Sequence, residues 1–172
     1  SSFGDALLAC HASVYRYARG LCHDAAEAEE LTQETFRRAL SAKRRPISLT
    51  IESVRPWMFT ILRNHWHNEI RERRRDADLD PVGAMASDDT PETIVYRRFL
   101  QSEVRDALDA LPPLFREVIV LREIEGLSYS EMATLLNCPL GTVMSRLARA
   151  RTVLRSMFVG LMPDAAEKAA HR

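Results

Sequence analysis

The segment at residues 76–92, DADLDPVGAMASDDTPE, constrains the fold of this chain more than any other stretch. It contains Pro81, Gly83 and Pro91, is rich in acids, and has neither Lys nor Arg. Such a composition buries little apolar surface and interrupts helices, so we expect a linker. The linker divides the 172 residues into two units, each near the lower size limit for a self-sufficient core.

Both units have the composition of helical proteins. Ala, Leu, Arg and Glu dominate, Gly is scarce, and runs that alternate β-branched with polar residues are missing. We therefore predict an all-α fold, with two small helical domains joined by an acidic flexible linker. The predicted boundaries are 1–75 for the first domain, 76–92 for the linker, 93–160 for the second domain and 161–172 for a polar tail.

Capping patterns and prolines mark the helix starts. DAAE at 24–27 predicts a capping box that opens a helix running to about Leu40, and SVRPW at 53–57 opens another with Pro56 in its first turn. At the end of the linker, Thr90 and Pro91 predict a third start. That helix carries leucines and a valine at helical spacing: Leu100, Val104, Leu108 and Leu111.

The next helix, within LPPLFREVIVLREIEG, begins at its prolines and ends near Gly126. The stretch that follows, SYSEMATLLNCPLGTVMSRLARAR at 128–151, predicts two short helices around a tight turn. SYSE is a second capping box, Asn137 can adopt the left-handed conformation, and Pro139 stops the first helix from continuing.

The second helix of this pair has two distinct faces. One is an apolar stripe of Val143, Leu147, Ala150 and Leu154, and the other presents Thr142, Ser145, Arg146 and Arg149. This layout is typical of a helix-turn-helix, whose second helix offers short polar and Arg side chains to a DNA major groove. The helix itself contains no acid beside Arg146, Arg149 and Arg151. The alternative is an ordinary helical hairpin with a solvated basic face.

Zero net charge conceals segregated charge. Acids crowd residues 24–34 and 76–92, whereas bases crowd 71–75 and 146–155. Blocks of opposite sign suggest different partners for different faces, with solvated surface as the alternative. No apolar run reaches the roughly 18 residues of a membrane span, so we expect no membrane contact.

The three cysteines, Cys10, Cys22 and Cys138, lack a framework spacing and fit a reducing, cytoplasmic setting, although their role stays open. The repeated Cys-His pairs at 10–11 and 22–23 do not have the spacing of a zinc site. Neither a nucleophile–base arrangement nor a phosphate loop emerges. We expect no metal, no cofactor and no catalytic activity.

Two motif sets in a fixed order carry a family resemblance. ALPPLFREVIVLREIEGLSYSEMATLLNCPLGTVMSRLARARTVLR at 110–155 resembles region 4 of the extracytoplasmic-function (ECF) sigma factors. AEELTQETFRRAL at 28–40, followed by RPWMFTILRNHWHNEIRERRR at 55–75, resembles their region 2. The resemblance implies an alternative sigma factor that binds core RNA polymerase, melts the −10 element and initiates transcription, in a stress response.

The resemblance also implies partners: the β′ clamp helices and the β flap of core polymerase, promoter DNA, and an anti-sigma factor. The family docks its first region 2 motif helix on the basic clamp helices. Matching positions form a polar, mostly acidic face of Glu30, Gln33, Glu34 and Arg37. Leu31, Phe36 and Leu40 are interpreted as core residues.

The family uses the end of the next region 2 helix, and the loop after it, to capture an unstacked −10 base. Asn64 and Asn68 offer amide edges and are the first candidates. The flat rings are those of His65, Trp66 and His67, with Trp66 left open between packing and the single-strand path. The predicted phosphate contacts are the arginines at the end of the helix: Arg71, Arg73, Arg74 and Arg75. Trp57 and Phe59 are interpreted as core residues.

For the −35 element, the resemblance assigns base or phosphate contacts to Thr142, Ser145, Arg146 and Arg149. Met144 departs from the family, which commonly has Lys or Arg there. A methionine offers neither charge nor donor, so either a contact is lost or an apolar contact such as a thymine methyl replaces it. The −35 preference of the family cannot be carried over.

The alternative function is a stand-alone helix-turn-helix repressor or activator. It would explain residues 128–155 but would leave ELTQETF and RPWMFTILRN without a role. Dependence on core polymerase distinguishes the two, because a repressor binds duplex DNA unaided.

Overall fold

The computed structural model describes residues 2–22, 24–76 and 104–159, and every structural statement below refers to these. Within them the chain forms helices and turns and no strand, which confirms the all-α class. The Thr90 cap, Leu100, the bulk of the predicted linker and the predicted tail lie outside the described residues.

The first unit has four helices: α1 (Phe3–Ala9), α2 (His11–Leu21), α3 (Ala25–Ser41) and α4 (Ile51–Asp76). Helix α3 begins where predicted, because the Asp24 carboxylate accepts a hydrogen bond of 2.8 Å from the Glu27 amide. This is the Asp24 half of the predicted capping box, whereas the Glu27 carboxylate accepts a hydrogen bond of 2.9 Å from Arg73 Nη1. Helix α3 packs on both α2 and α4, and their buried side chains form the core of this unit.

The start predicted for α4 was wrong. The helix begins at Ile51, and Pro56 lies inside it rather than in its first turn. The amides of Ser53 and Val54 both donate to the Thr50 carbonyl, at 3.1 and 3.0 Å, so a turn forms before the proline is reached. The missing N–H of Pro56 removes one helical hydrogen bond, while the buried Val54, Met58 and Phe59 still hold the helix on the core.

The second unit contains α5 (Val104–Ala110), α6 (Pro113–Ile119), a π turn (Val120–Ile124), α7 (Tyr129–Leu136) and α8 (Leu140–Val159). Proline entry into α6 and the stop at Gly126, whose φ is +70°, are confirmed. The π turn, in which the Glu125 amide bonds to the Val120 carbonyl, was not predicted.

The two units pack against each other. Helices α2 and α4 of the first unit contact α6, the π turn and α7 of the second, and we call this contact the junction. At its centre Gly20 faces Val120 so closely that a Cβ at residue 20 would lie 2.9 Å from Val120 Cγ2. The absence of a side chain at Gly20 therefore sets the distance between the units.

Two buried carboxylates of the second unit bond to the first unit across the junction. Glu117, only 3 % exposed, accepts hydrogen bonds from the Tyr17 hydroxyl at 2.6 Å and from Arg63 Nε at 2.9 Å. Glu125 accepts one from Arg16 Nε at 2.6 Å, and its carbonyl accepts one of 2.9 Å from Arg55. Burial, and then the Glu117 charge, hold the pKa of Tyr17 well above its usual value.

Candidate nucleic-acid and polymerase surfaces

The predicted helix-turn-helix is formed by α7 and α8. Ser128 Oγ accepts from the Glu131 amide at 3.1 Å, and the Glu131 carboxylate accepts from the Ser128 amide at 2.7 Å. This reciprocal pair is the capping box that the sequence predicted. Asn137 ends α7 in the left-handed region, at φ 50° and ψ 50°, so both devices of the turn are confirmed.

Helix α8 has the two faces that the sequence predicted. Val143, Leu147 and Ala150 are buried, and Leu154 packs at the edge of the core. Of the predicted readers, Ser145 and Arg149 are exposed, while Thr142 and Arg146 are half-buried. The Ser145 hydroxyl donates to the Thr142 carbonyl at 3.2 Å, which orients its oxygen along the exposed face.

Met144 occupies one edge of that face, 49 % exposed. Leu140, four residues earlier and therefore on the same side of the helix, is 46 % exposed. The two form a small apolar patch at the N-terminal end of α8, the end that enters the groove in a helix-turn-helix. This patch offers a thymine methyl an apolar surface and offers a phosphate nothing.

Although α8 contains no acid, Arg151 has an acidic partner from another element. Its Nε lies 2.8 Å from Glu123 Oε1, and Glu123 belongs to the π turn rather than to α8. The sequence of one helix cannot reveal a partner that tertiary packing brings from another element. Arg151 therefore links α8 to the π turn.

The predicted −10 residues on α4 form an exposed stripe. Asn64, Asn68, Arg71 and Arg75 are all exposed, and their spacing of four, three and four places them on one side of the helix. Amide edges and guanidinium groups thus line one continuous strip, which we call the α4 stripe.

The predicted aromatic residues are not part of the α4 stripe. Trp66 is 9 % exposed and belongs to the core, which favours packing over base stacking. His65 is half-buried with its Nε2 3.5 Å from Glu69. His67 is half-buried with its Nε2 buried and unpartnered, and burial followed by the Arg63 charge lowers its pKa. None of the three rings therefore lies on the α4 stripe, and their assignment to the −10 element stays a prediction.

The basic end of α4 is partly engaged within the protein. Arg73 Nη1 lies 2.9 Å from Glu27 Oε1 of α3, although the Arg73 side chain remains 62 % exposed. This pair fixes the end of α4 to α3. The Arg74 side chain lies outside the described residues.

The predicted polymerase face on α3 is less acidic than expected. Glu30, Gln33 and Arg37 are exposed, but the Glu34 carboxylate is bound by both Arg37 and Arg38, with N–O distances of 2.6 Å. Hydrogen bonds from these two arginines lower the pKa of Glu34 to about 2. The sequence analysis omitted Arg38, which shares this surface, so acids and bases are balanced there.

The core interpretation of the apolar residues on α3 needs one correction. Leu31 is buried and Phe36 packs at the edge of the core, but Leu40 is 56 % exposed. Leu40 lies one turn beyond Phe36, in the last turn of α3. A shallow groove lined by His11, Tyr15, Glu29, Thr32 and Gln33 runs beside the same face.

The connection between α3 and α4 is a basic surface that was not predicted. Lys43, Arg44 and Arg45 are exposed there, and Arg45 lies 4.2 Å above the ring of Phe3. Ile47, two residues later, is fully exposed. The signal was available as the only KRR triplet in the sequence, at residues 43–45, shortly before α4 begins at Ile51.

Within the described residues, no group of three His, Cys, Asp or Glu side chains is arranged to hold a metal ion. Cys10 and Cys22 are buried free thiols, and burial raises the pKa of Cys22 to about 12. In the same part of the chain no helix combines the length and apolar character needed to cross a bilayer.

Comparison with known families and structures identifies both units. Residues 7–76 match the family model of sigma-70 region 2, and residues 101–154 match that of sigma-70 region 4. The region 2 match gives a role to the segments that a stand-alone repressor leaves unexplained, and it excludes that alternative.

Individual relatives agree. The chain is 38 % identical over 172 residues to the ECF RNA polymerase sigma factor SigE of Mycolicibacterium smegmatis, covering 96 % of this chain and 65 % of that protein's length. It is 36 % identical over 173 residues to the ECF RNA polymerase sigma factor EcfG of Rhodopseudomonas palustris, covering 96 % of this chain and 88 % of that protein.

A solved structure has the same fold. The sigma factor RpoE of Bartonella quintana, crystallised with the anti-sigma factor NepR, superposes with a TM-score of 0.68 at 26 % identity, over 91 % of this chain and 96 % of that one. The helix-turn-helix, the α4 helix and these matches agree in order along the chain. This protein belongs to the ECF RNA polymerase sigma factors.

Proposed function

We propose that the chain directs core RNA polymerase to promoters through three surfaces carried on two units. The observation that carries this proposal is the simultaneous exposure of the α4 stripe and of the reading face of α8. Each surface is too small to hold DNA tightly alone. Mounted together on polymerase, they act at high effective concentration on two promoter elements.

The α4 stripe is proposed to open the −10 element. Asn64 and Asn68 would read the edge of an extruded base, and Arg71 with Arg75 would hold the phosphates on either side. Extruding a base costs a few kcal/mol, which edge hydrogen bonds and backbone contacts must offset. The exposed bases of the α3–α4 connection, Lys43 to Arg45, provide further phosphate contacts at the other end of α4.

Helix α8 is proposed to read the −35 element. Arg146 and Arg149 can each bridge the two acceptors of a guanine, and Thr142 can donate to phosphate. The Ser145 hydroxyl would first release its bond to the Thr142 carbonyl to do the same. Met144, with Leu140 beside it, replaces the charged contact of the family with an apolar one. The −35 sequence of this protein should accordingly favour thymine opposite that patch.

The polymerase contact is proposed on α3, through Glu30, Gln33, Glu34 and Arg37 facing the β′ clamp helices, with the second unit on the β flap. Because acids and bases are balanced on this face, individual salt bridges to polymerase at defined positions, rather than attraction between oppositely charged surfaces, would hold the contact. The matched ranges support units close to residues 1–75 and 93–160.

A protein regulator of the anti-sigma class is also proposed. The B. quintana relative was crystallised with its anti-sigma factor NepR, and its fold covers nearly all of this chain. A stress-response role in the cytoplasm follows from the same family membership.

The test is run-off transcription with the chain and core polymerase on a pool of promoter fragments. We expect specific transcripts only when both components are present. Changing Asn64 and Asn68 together to Ala should abolish melting, followed with a fluorescent base in the −10 element, and leave binding of a −35 duplex intact. Glu52→Gln, an exposed change at the far end of α4, is the matched control. Transcription that survives the double change would contradict the assignment.

A further inference from the structure

Three exposed apolar side chains form a row along helix α8. Leu140 and Met144, the pair described above, are 46 % and 49 % exposed, and Ala148 is exposed one turn further along the helix. Their spacing of four residues places them on one side of α8, over about 12 Å of its axis. We call these three residues the α8 apolar row. Among the described side chains of α8, Leu140 and Met144 are the large apolar ones left exposed.

The α8 apolar row lies beside polar side chains that are proposed to contact the −35 element. Ser145 and Arg149 are exposed, and each follows a member of the row by one residue, a step of about 100° around the helix. Val143 and Leu147 each precede a member of the row by one residue and are buried. The row therefore lies between the buried stripe and the polar strip. A duplex whose major groove receives the polar strip also meets the row.

The row offers no strong hydrogen bond to DNA. Leucine and alanine side chains have neither donor nor acceptor, and the methionine thioether is only a weak acceptor. A base edge that contacts these side chains is therefore recognised by its apolar groups alone. Among the four unmodified bases, the apolar group in the major groove is the methyl at ring position 5 of thymine.

The group at ring position 4 distinguishes thymine from cytosine. Thymine presents an oxygen acceptor there, and cytosine presents an amino donor. Side chains without hydrogen-bonding groups do not detect this difference. Cytosine that is methylated at ring position 5 carries its methyl group at the same place as thymine. The row should therefore gain the same contact from 5-methylcytosine as from thymine, and should lose it with uracil and with unmethylated cytosine.

We propose that the α8 apolar row binds the 5-methyl group of a pyrimidine in the −35 element, and that it accepts 5-methylcytosine as well as thymine. The inference rests on the proposed function, because it requires α8 to lie in the major groove of that element. Burial of one methyl group changes affinity by about fourfold. Methylation of a −35 cytosine would then strengthen the binding of this protein to a promoter whose base sequence is unchanged.

The experiment measures the binding of −35 duplexes to the chain assembled with core polymerase, by fluorescence anisotropy. In the −35 element obtained from the transcription test, each thymine is replaced by deoxyuridine and each cytosine by 5-methylcytosine, one position at a time. We expect at least one position at which the methyl group changes affinity by about fourfold. There, the affinity ratio of thymine to uracil should equal that of 5-methylcytosine to cytosine.

Met144→Gln tests the row directly. Glutamine has a similar length and favours helices as methionine does, but its amide replaces the apolar end of the side chain. Both affinity ratios should fall toward one. Leu114→Gln makes a comparable change at a side chain of α6 that is 53 % exposed, and it is the matched control. Both ratios should remain near fourfold in this control, roughly the effect of one methyl group.

Three results would contradict the expectations, and they differ in what they refute. If 5-methylcytosine bound no better than cytosine where uracil weakens binding, or if Met144→Gln kept both ratios, the proposal would be overturned. Equal weakening of all duplexes by Met144→Gln would assign the row to a contact with protein and would overturn it too. A holoenzyme without preference for any −35 sequence would refute the proposed function itself, so the two failures are distinguishable.

Discussion

At the scale of single residues, Met144 separates this chain from the pattern of its family. The sequence revealed the departure, but only the structure placed Leu140 beside it as a second exposed apolar side chain. One methionine can be tolerated in a basic surface, whereas an apolar pair selects for an apolar feature of the DNA. The methyl group of thymine is the only such feature in the major groove.

Met144→Arg should therefore strengthen −35 binding without sequence preference. Adding one phosphate contact is expected to steepen the slope of log affinity against log salt by about 1. The measurement is binding of −35 duplexes by the chain with core polymerase between low and moderate salt. Thr152→Arg adds the same charge roughly 12 Å further along α8 and should change the slope less. Identical slopes for Met144→Arg and wild type would show that this position does not meet phosphate.

The cysteines give a prediction about pH and reactivity. Burial raises the pKa of Cys22 to about 12 from a usual value of 9.0, so the folded chain holds this proton more tightly than the unfolded chain. Its contribution to stability is then complete below about pH 9 and declines as pH rises from 9 toward 12.

Titration with a thiol reagent at pH 8 should modify the half-buried Cys138 first, and Cys10 and Cys22 only on unfolding. Three equally fast thiols in the native chain would contradict this.

At the scale of elements, the sequence predicted the features that depend only on residues close together in the chain. The Ser128 capping box, the left-handed Asn137 and the apolar stripe of α8 each depend on residues within a few positions, and each is confirmed. The start of α4 and the π turn depend on packing that the local sequence does not show. The same reason explains Trp66: its ring chemistry suits a base, but the core decides where it lies.

The turn between α7 and α8 can be tested with a matched pair. Asn137→Ala should lower the free energy of unfolding by about 1 kcal/mol, because alanine is strained in the left-handed region that Asn137 occupies at φ 50°. Asn137→Gly should cost little or nothing, since glycine adopts this conformation freely. Thermal melts of the full chain compare the two. If alanine and glycine melt alike, the turn does not depend on this conformation.

At the scale of the whole molecule, the junction is held by groups that water can also satisfy. Among the described residues, the Glu117 and Glu125 carboxylates pair with the first unit's Tyr17, Arg63, Arg16 and Arg55, and Gly20 allows the close approach. None of these pairs was predicted, because partners 54 to 109 residues apart in sequence carry no local signal.

Gly20→Ala should open the junction. The added Cβ would meet Val120 at 2.9 Å, while alanine favours helix α2 itself, so the first unit should remain folded. We expect a larger radius of gyration by small-angle X-ray scattering. Adding Val120→Ala should restore the compact form, and Gly4→Ala, where the new Cβ would lie 3.7 Å from Ser2, should leave it unchanged. A compact Gly20→Ala chain would mean that the units are not held by this contact.

The segment from Glu117 to Glu125 has a consequence for how the protein orients itself on a promoter. Its two end carboxylates hold the first unit, and Glu123 between them holds Arg151 of α8. This short stretch therefore links the first unit to α8, the helix proposed to read the −35 element. While these bonds are in place, the first unit and α8 move together, so the protein fixes the distance between the two proposed DNA surfaces.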